Sequence, residues 1–190
     1  MRGDTVFVFT RAPRLGVGKR RLAREIGDRA ALRFQVATLR RLVRALVRDG
    51  RFRVVLAVTP DGSFVPGLKG VARVGQGRGD LGARMARVLG KSRRAVLLGS
   101  DIPAAGVGDI RAAFAALGRV DAVFGPAVDG GYWLVGFGPR RVSRPFKGVR
   151  WSSAHALADT LANFGGVKVG LLRALSDVDT AVDLAVIPRL

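Results

Sequence analysis

Two short acidic turns hold the residues best suited to chemistry. One is Gly99-Ser100-Asp101-Ile102-Pro103, directly after the apolar run 95–98; the other is Asp129-Gly130-Gly131-Tyr132-Trp133, shortly after the apolar run 122–124. The aspartates lie 129 − 101 = 28 residues apart, and each falls where a buried strand should end. Carboxylates at strand ends, beside glycines that admit close approach, suit a hard divalent cation and the phosphates it carries. Each also has an ordinary structural reading. Asp101 before Pro103 makes a capped turn, and Asp129 before two glycines makes a tight turn between strands.

Composition narrows the chemistry. The chain has no cysteine and one histidine, His155, which excludes disulfides, thiolate zinc sites, thiol catalysis and a multi-histidine metal centre. Carboxylates, hydroxyls and water remain as metal ligands, so the expected ion is Mg2+ or Mn2+. The net charge is +19, from 33 basic and 14 acidic residues. Of the 33, 28 are arginines spread along the whole length, which reads mainly as a solvated basic surface, with a phosphate-attracting field around one site as the alternative. A nucleic-acid partner is disfavoured, because aromatic stacking platforms interleaved with basic residues are absent.

Three further segments could join the two turns. The stretch from Thr10 to Leu22 is a basic, glycine-containing loop that leaves a strand and enters a helix, with Arg11, Pro13, Gly16, Lys19 and Arg21. Its spacing matches neither a Walker loop nor a dinucleotide fingerprint. Arg11, Lys19 and Arg21 can still neutralise a di- or triphosphate, the other reading being a solvated basic turn. In Gln76-Gly77-Arg78-Gly79-Asp80-Leu81-Gly82-Ala83-Arg84, Asp80 suits a helix cap, Gln76 a base or sugar edge, and Arg84 an anion or solvent. In Asp177-Val178-Asp179-Thr180, with Asp183 beyond, Asp179 and Thr180 read first as caps of the last helix, with a metal or acceptor role as the alternative. Tyr132, Trp133 and Trp151 offer aromatic walls for a sugar or base, although a Trp after a strand is more often core. His155 reads as a surface or capping residue.

The elements that must position these residues alternate. Apolar runs predict strands at 5–10, 53–59, 71–74, 95–99, 122–125, 132–137 and 167–172. Helical periodicity covers 28–48, with Leu32, Val36, Leu39, Val43 and Leu46/Val47 on the core face, and further helices are expected at 81–89, 107–117 and 152–163, the last capped by Ser152. The segment 136–150 is irregular and is expected to close over the site. Alternating strands and helices imply parallel crossovers in a three-layer α/β/α domain, and 190 residues suit one domain spanning 1–190. In such sheets ligands bind beyond the carboxyl ends of the strands, which gathers the basic loop and both acidic turns at one edge. No apolar run reaches the length of a membrane helix and the N-terminus lacks a signal-peptide core, so a soluble, cytoplasmic protein is expected.

The ordered set Arg11-Ala12-Pro13, Gly16, Lys19-x-Arg21-Leu22, Gln76, Asp80-Leu81-Gly82-x-Arg84-Met85, Gly99-Ser100-Asp101-x-Pro103, Gly125-Pro126-Ala127-x-Asp129-Gly130-Gly131-Tyr132, Trp151-Ser152 and Asp177-x-Asp179-Thr180-x-x-Asp183-Leu184 resembles a bacterial family of glycosyltransferase-A-like proteins. Its members are described as uncharacterised or as arsenosugar-biosynthesis-type glycosyltransferases, and it is related to the nucleotidyltransferases of molybdenum and deazaflavin cofactor synthesis. The resemblance runs nearly end to end. It departs at Arg20, where the family shows Thr or Ser, so a hydroxyl contact to phosphate is not carried over. It implies a Rossmann-like nucleotide-diphospho-sugar transferase fold with a mostly parallel sheet, the basic loop cradling a nucleotide and the Ser100-Asp101 turn holding the metal.

Three functions compete on these grounds. The leading one is a metal-dependent glycosyltransferase passing sugar from a nucleotide sugar to a small-molecule acceptor. Asp101 would be the metal ligand, Asp129 a second ligand or the acceptor-orienting base, and Lys19 and Arg21 the phosphate contacts; Pro13, Gly16, Gln76, Asp80, Arg84, Ser100, Gly130, Gly131, Tyr132 and Trp151 would complete the nucleotide and substrate surface. The second is a nucleotidyltransferase that uses a nucleoside triphosphate and releases pyrophosphate. The third is a non-catalytic polyanion or nucleic-acid binder driven by charge. A homodimer is left open.

Overall fold

A computed structural model describes residues 3–185. The strands are β1 (Asp4–Arg11), β2 (Arg53–Thr59), β3 (Ala72–Gly75), β4 (Arg94–Gly99), β5 (Ala122–Pro126), β6 (Tyr132–Phe137) and β7 (Val169–Leu171). The helices are α1 (Arg20–Ile26), α2 (Asp28–Asp49), α3 (Leu81–Leu89), α4 (Val107–Ala116), α5 (Ala156–Ala162) and α6 (Ala181–Ala185). All seven strands form one sheet in the order β3-β2-β1-β4-β6-β5-β7. Every pairing is parallel except those of β6, which runs antiparallel between β4 and β5.

Alternation along the strands builds a core on each side of this sheet. Val6, Val8, Leu56, Val96 and Leu98 face α2 and α4, meeting Leu39, Val43, Leu46, Ile110 and Phe114. Phe7, Val55, Leu97, Phe124 and Val135 face the other way, toward Met85, Val88 and Leu89 of α3 and toward Phe146 and Phe164. The mostly parallel three-layer architecture follows from these two apolar faces. Among the described residues no helix is long and apolar enough to cross a membrane.

Three local expectations are corrected. The buried stripe of α2 is rotated: Leu39, Val43 and Leu46 are buried with Phe34 and Leu42, whereas Leu32 and Val36 are half-buried and Val47 is exposed. Helix α5 starts at Ala156, not after Ser152, because Ser152 takes a left-handed backbone (φ 57°) and the chain turns again before the helix. The irregular stretch after β6 does not close over the acidic turns. It packs on α3, where Arg141 holds the carbonyls of Leu89 and Ser92 and Phe146 meets Trp151.

Candidate active site

The segments that leave the carboxyl ends of β1, β4 and β7 meet at one buried cation, with the turn after β5 beside them. Lys19, at the start of α1, places its Nζ 2.9 Å from Asp101 Oδ2, 2.9 Å from Asp179 Oδ1 and 4.0 Å from Asp177 Oδ2. Its side chain is only 7% exposed, while those of Asp101, Asp177 and Asp179 keep 42%, 38% and 40% of their surface. One side of the cluster is thus protein and the other is open to solvent.

Local packing explains how the distant parts meet. Asp101 leaves β4 in a turn whose Ile102 is buried and whose Ser100 donates to Thr10 Oγ1 (3.0 Å) at the end of β1. Beyond β7 the chain follows β5, as Leu172 N and Leu175 N donate to Phe124 O and Pro126 O, and Val128 N returns a bond to Leu175 O. Val178 then buries itself among Leu22, Ala31 and Phe34. With Val178 pointing inward, the aspartates on either side of it are free to turn to Lys19, three residues before Leu22. Lys19 itself has a left-handed backbone (φ 42°, ψ 42°), which costs a non-glycine residue roughly 1 kcal/mol. Strain of this kind persists where the surrounding structure over-determines it, and such positions cluster at functional sites.

The charge balance is unusual for this chain. Most of its other carboxylates have a partner of their own: Asp4 pairs with Arg94, Asp49 with Arg111, Asp109 with Arg173 and Asp159 with Arg150, while Asp61, Asp80 and Asp121 accept backbone N–H groups. At the cluster three carboxylates share one ammonium, with Arg21 3.7 Å from Asp179 as an exposed outer partner. Burial, followed by the charge on Asp179, raises the pKa of Asp177; Asp101 and Asp129 add to the rise and Lys19 opposes it. Burial lowers the Lys19 pKa, but Asp101 and Asp179 outweigh it and the net shift is upward. A cleft that holds carboxylates against their mutual repulsion is a candidate for cation and phosphate chemistry.

The oxygen donors and their excess negative charge fit Mg2+ or Mn2+. The Lys19 ammonium stands where such an ion would be neutralised. Among the described residues no three carboxylates already close around one point as a metal cage.

The remaining expected residues divide into two groups. Arg11 and Gly16 are exposed on the basic loop, and Pro13 is buried beside it. Asp129 is exposed next to the cluster and accepts Gly131 N (2.9 Å). Gly130, at φ 85°, lies so close to Ala154 that a side chain would collide with its backbone, and its carbonyl accepts Leu157 N (3.0 Å). This turn therefore anchors the segment leading into α5.

The second group is engaged by the protein's own residues. Gln76 is 1% exposed; its Nε2 donates to Thr10 O (3.1 Å) and Ala57 O (2.8 Å), and its Oε1 accepts Arg84 NH1 (3.0 Å). Its amide is fully engaged and offers no edge to a base, contrary to the expectation from sequence. Arg84 lies over the Phe9 ring. Asp80 caps α3 through Ala83 N (2.7 Å). Tyr132 and Trp151 do not form an open wall. They pack edge to face with each other, Tyr132 also on Phe124 and Trp151 on Phe146. Burial raises the Tyr132 pKa despite its contact with Thr160. Trp151 fits there because Gly82 has no side chain; a Cβ would sit 2.8 Å from the indole.

Asp177 and Asp179 join Asp101 at Lys19, whereas the sequence pattern favours a helix cap for Asp179. Thr180 and Asp183 form the cap of α6, with Thr180 Oγ1 donating to Asp183 Oδ2 (2.8 Å), which leaves the Asp179 carboxylate for Lys19. The signal was present in the repeated acidic spacing, but the contact spans 160 residues of sequence.

Comparisons with known proteins agree with this fold. A nucleotide-diphospho-sugar transferase from Desulfovibrio desulfuricans G20, so named provisionally, superposes with a TM-score of 0.89 at 28% identity, covering 98% of this chain and 86% of that one. The 4-diphosphocytidyl-2C-methyl-D-erythritol synthase from Anaerococcus prevotii DSM 20548 gives 0.59 at 12% identity over 96% of each chain. Rv0371c from Mycobacterium tuberculosis H37Rv, solved in complex with manganese, gives 0.52 at 18% identity over 96% of each chain. No curated protein matches. Residues 35–153 match the model of a family described as uncharacterised proteins conserved in bacteria (DUF2064), and it is to this family that the chain belongs.

Proposed function

We propose that the protein is a metal-dependent transferase that takes a nucleotide-activated donor, and that the reaction is glycosyl transfer from a nucleotide sugar to a small-molecule acceptor. The observation that carries this reading is the meeting of Asp101, Asp177 and Asp179 on Lys19 beside the basic loop. The likeness to nucleotide-diphospho-sugar transferases supports it.

In this reading Lys19, Arg21 and Arg11 bind the diphosphate of the donor, and Asp101 with Asp177 and Asp179 would hold Mg2+ or Mn2+. The bound ion would supply charge to the departing phosphate oxygens. The bond between the anomeric carbon and the β-phosphate oxygen breaks, a bond from that carbon to an acceptor oxygen forms, and nucleoside diphosphate leaves. Asp129 takes or orients the acceptor proton, having one carboxylate oxygen pinned by Gly131 N. The surface thus needs no covalent enzyme intermediate, since positioning and charge stabilisation suffice. The arsenosugar-type resemblance bears on the acceptor, which is here assigned only as a small molecule. The reaction is placed in the cytoplasm, within one domain spanning the chain.

A second reading has one specific support, the likeness in fold to a cytidylyl-type synthase. There the acceptor attacks the α-phosphate of a nucleoside triphosphate and pyrophosphate leaves. The experiment is a thermal-shift panel of nucleotide sugars and nucleoside triphosphates with Mn2+, followed by product analysis. Released nucleoside diphosphate with sugar on the acceptor supports the first reading, and released pyrophosphate the second. Stabilisation by neither class, with or without metal, removes both.

A further inference from the structure

Lys19 is not held as a phosphate-binding lysine waiting in solvent. Its ammonium is inserted between Asp101 and Asp179 at 2.9 Å from each, with a side chain only 7% exposed, on a left-handed backbone that favours glycine. Among the described residues Asp101 and Asp177 have no other cation within ion-pair distance, and Asp179 has only the exposed Arg21 besides. The residue type also matters. Of 33 basic residues 28 are arginines, yet the one buried among carboxylates is a lysine. An arginine would grip a carboxylate with a two-pronged fork, whereas an ammonium is a point charge on a flexible stem that can transfer to another anion. Gly16 (φ 71°) on the preceding loop has open space around it, which leaves room for such a shift.

From this geometry we infer that the Lys19 ammonium and a divalent cation exclude one another at the Asp101, Asp177 and Asp179 carboxylates, so that the ligand-free protein is closed to the metal by its own side chain. The inference rests on the metal reading proposed above. An ion entering with Lys19 in place would face a like charge within a few ångströms and only shared carboxylate oxygens. A polyphosphate that draws Lys19 away opens the cluster, and by linkage the metal then tightens the polyphosphate by the same factor. Metal and nucleotide therefore bind as a coupled pair.

The test is Mn2+ binding followed by electron paramagnetic resonance, without nucleotide, in wild-type protein and in Lys19→Met. The variant keeps the stem and removes the charge, and it is expected to bind Mn2+ at least tenfold more tightly than wild type. Equal or weaker binding overturns the inference. A second measurement needs no variant. Brief acylation of wild-type lysines, read by mass spectrometry, should leave Lys19 protected while the exposed Lys69, Lys91, Lys147 and Lys168 react, and saturating Mn2+ should raise the Lys19 rate severalfold. Unchanged protection under saturating Mn2+ also overturns the inference, even if Lys19→Met fails to fold. The two levels of failure separate cleanly. Mn2+ and nucleotide binding independently to wild type would remove the exclusion but keep the proposed function, whereas no Mn2+ binding to either protein, with no response to any nucleotide, would remove both.

Discussion

Replacing Gln76 with methionine is the sharpest test of how the sheet edge is held. The change keeps the length of the side chain and removes both ends of the amide. Two buried acceptors, Thr10 O and Ala57 O, lose the Nε2 donor, and the Arg84 guanidinium loses its acceptor. At roughly 1 kcal/mol for each amide bond and 1–2 kcal/mol for the charged one, Gln76→Met should cost about 3–4 kcal/mol. For a chain of this length that corresponds to a fall in Tm of roughly 6–16 °C. Urea and thermal unfolding measure it, with nucleotide affinity measured in parallel at a temperature where the variant is folded. Residual affinity within a few-fold of wild type is expected, because Gln76 offers the ligand no polar atom. The reasoning is refuted if stability changes by less than about 1 kcal/mol while nucleotide affinity collapses, since the amide would then be spent on the ligand.

Other expectations follow from the same structure. Asp101→Asn should reduce metal-dependent turnover at least 100-fold and also lower Tm by roughly 2–6 °C, because Asp101 is the main charge that holds the buried Lys19 ammonium; turnover within about tenfold of wild type at a temperature where the variant is folded would show Asp101 to be structural only. Gly130→Ala should cost about 2 kcal/mol or more by unfolding, since φ is 85° and the backbone of Ala154 occupies the side-chain space; a neutral result would show that this turn does not anchor the segment entering α5. Acid should destabilise the fold below about pH 4. Burial would raise the Asp109 pKa, but the Arg173 hydrogen bond and the Gly106 N–H outweigh it and the carboxyl lies low; hydrogen bonds from Arg111 and Arg150 likewise depress Asp49 and Asp159. A depressed group contributes stability above its unfolded pKa and loses it as pH falls through the folded one. Asp177 acts oppositely, since burial and the charge on Asp179 raise its pKa and its protonation as pH falls adds to stability. Urea midpoints between pH 6 and 3 should therefore fall, and fall less steeply in Asp109→Asn.

The strands were legible because each is a continuous apolar run bounded by turns, and a doubly covered sheet requires such runs. The phase of α2 was not, since packing of Leu42 with β1, β2 and β4 and of Phe34 with Leu22 and Val178 decides against Leu32 and Val36. At the site, Lys19 and Asp101 were legible as a basic loop and a strand-end carboxylate. Their direct contact was not, because a lysine in a glycine-rich loop reads as a ligand for an external anion. Asp179 was read first as a cap because the pattern Thr-x-x-Asp next to it does form one, and no local rule says that Val178 will be buried against Leu22. Gln76 and Trp151 differ in the opposite sense. Polar and aromatic residues near glycines suggest a ligand surface, but the carbonyl ends of β1 and β2 engage the Gln76 amide and Gly82 makes room for the Trp151 ring.

The acidic residues give a stronger argument for a site than the basic ones do. A surface charge of +19 raises the local concentration of any polyanion, so the arginines by themselves do not separate a nucleotide from a nucleic acid or an anionic surface. The carboxylates do separate them. With only 14 available, most are placed where an arginine or a backbone N–H satisfies them, and those placements follow from stability alone. Asp101, Asp177 and Asp179 instead share a single ammonium, and burial with the neighbouring carboxylates raises the pKa of Asp177, so Asp177 is placed where stability alone would not put it. A polyanion binder has no use for it, because carboxylates at the centre of its binding surface weaken its affinity. A transferase that must hold a cation and a diphosphate together needs both signs of charge within a few ångströms, and the edge formed by Lys19, Asp101 and Asp179 is where the described part of this protein provides them.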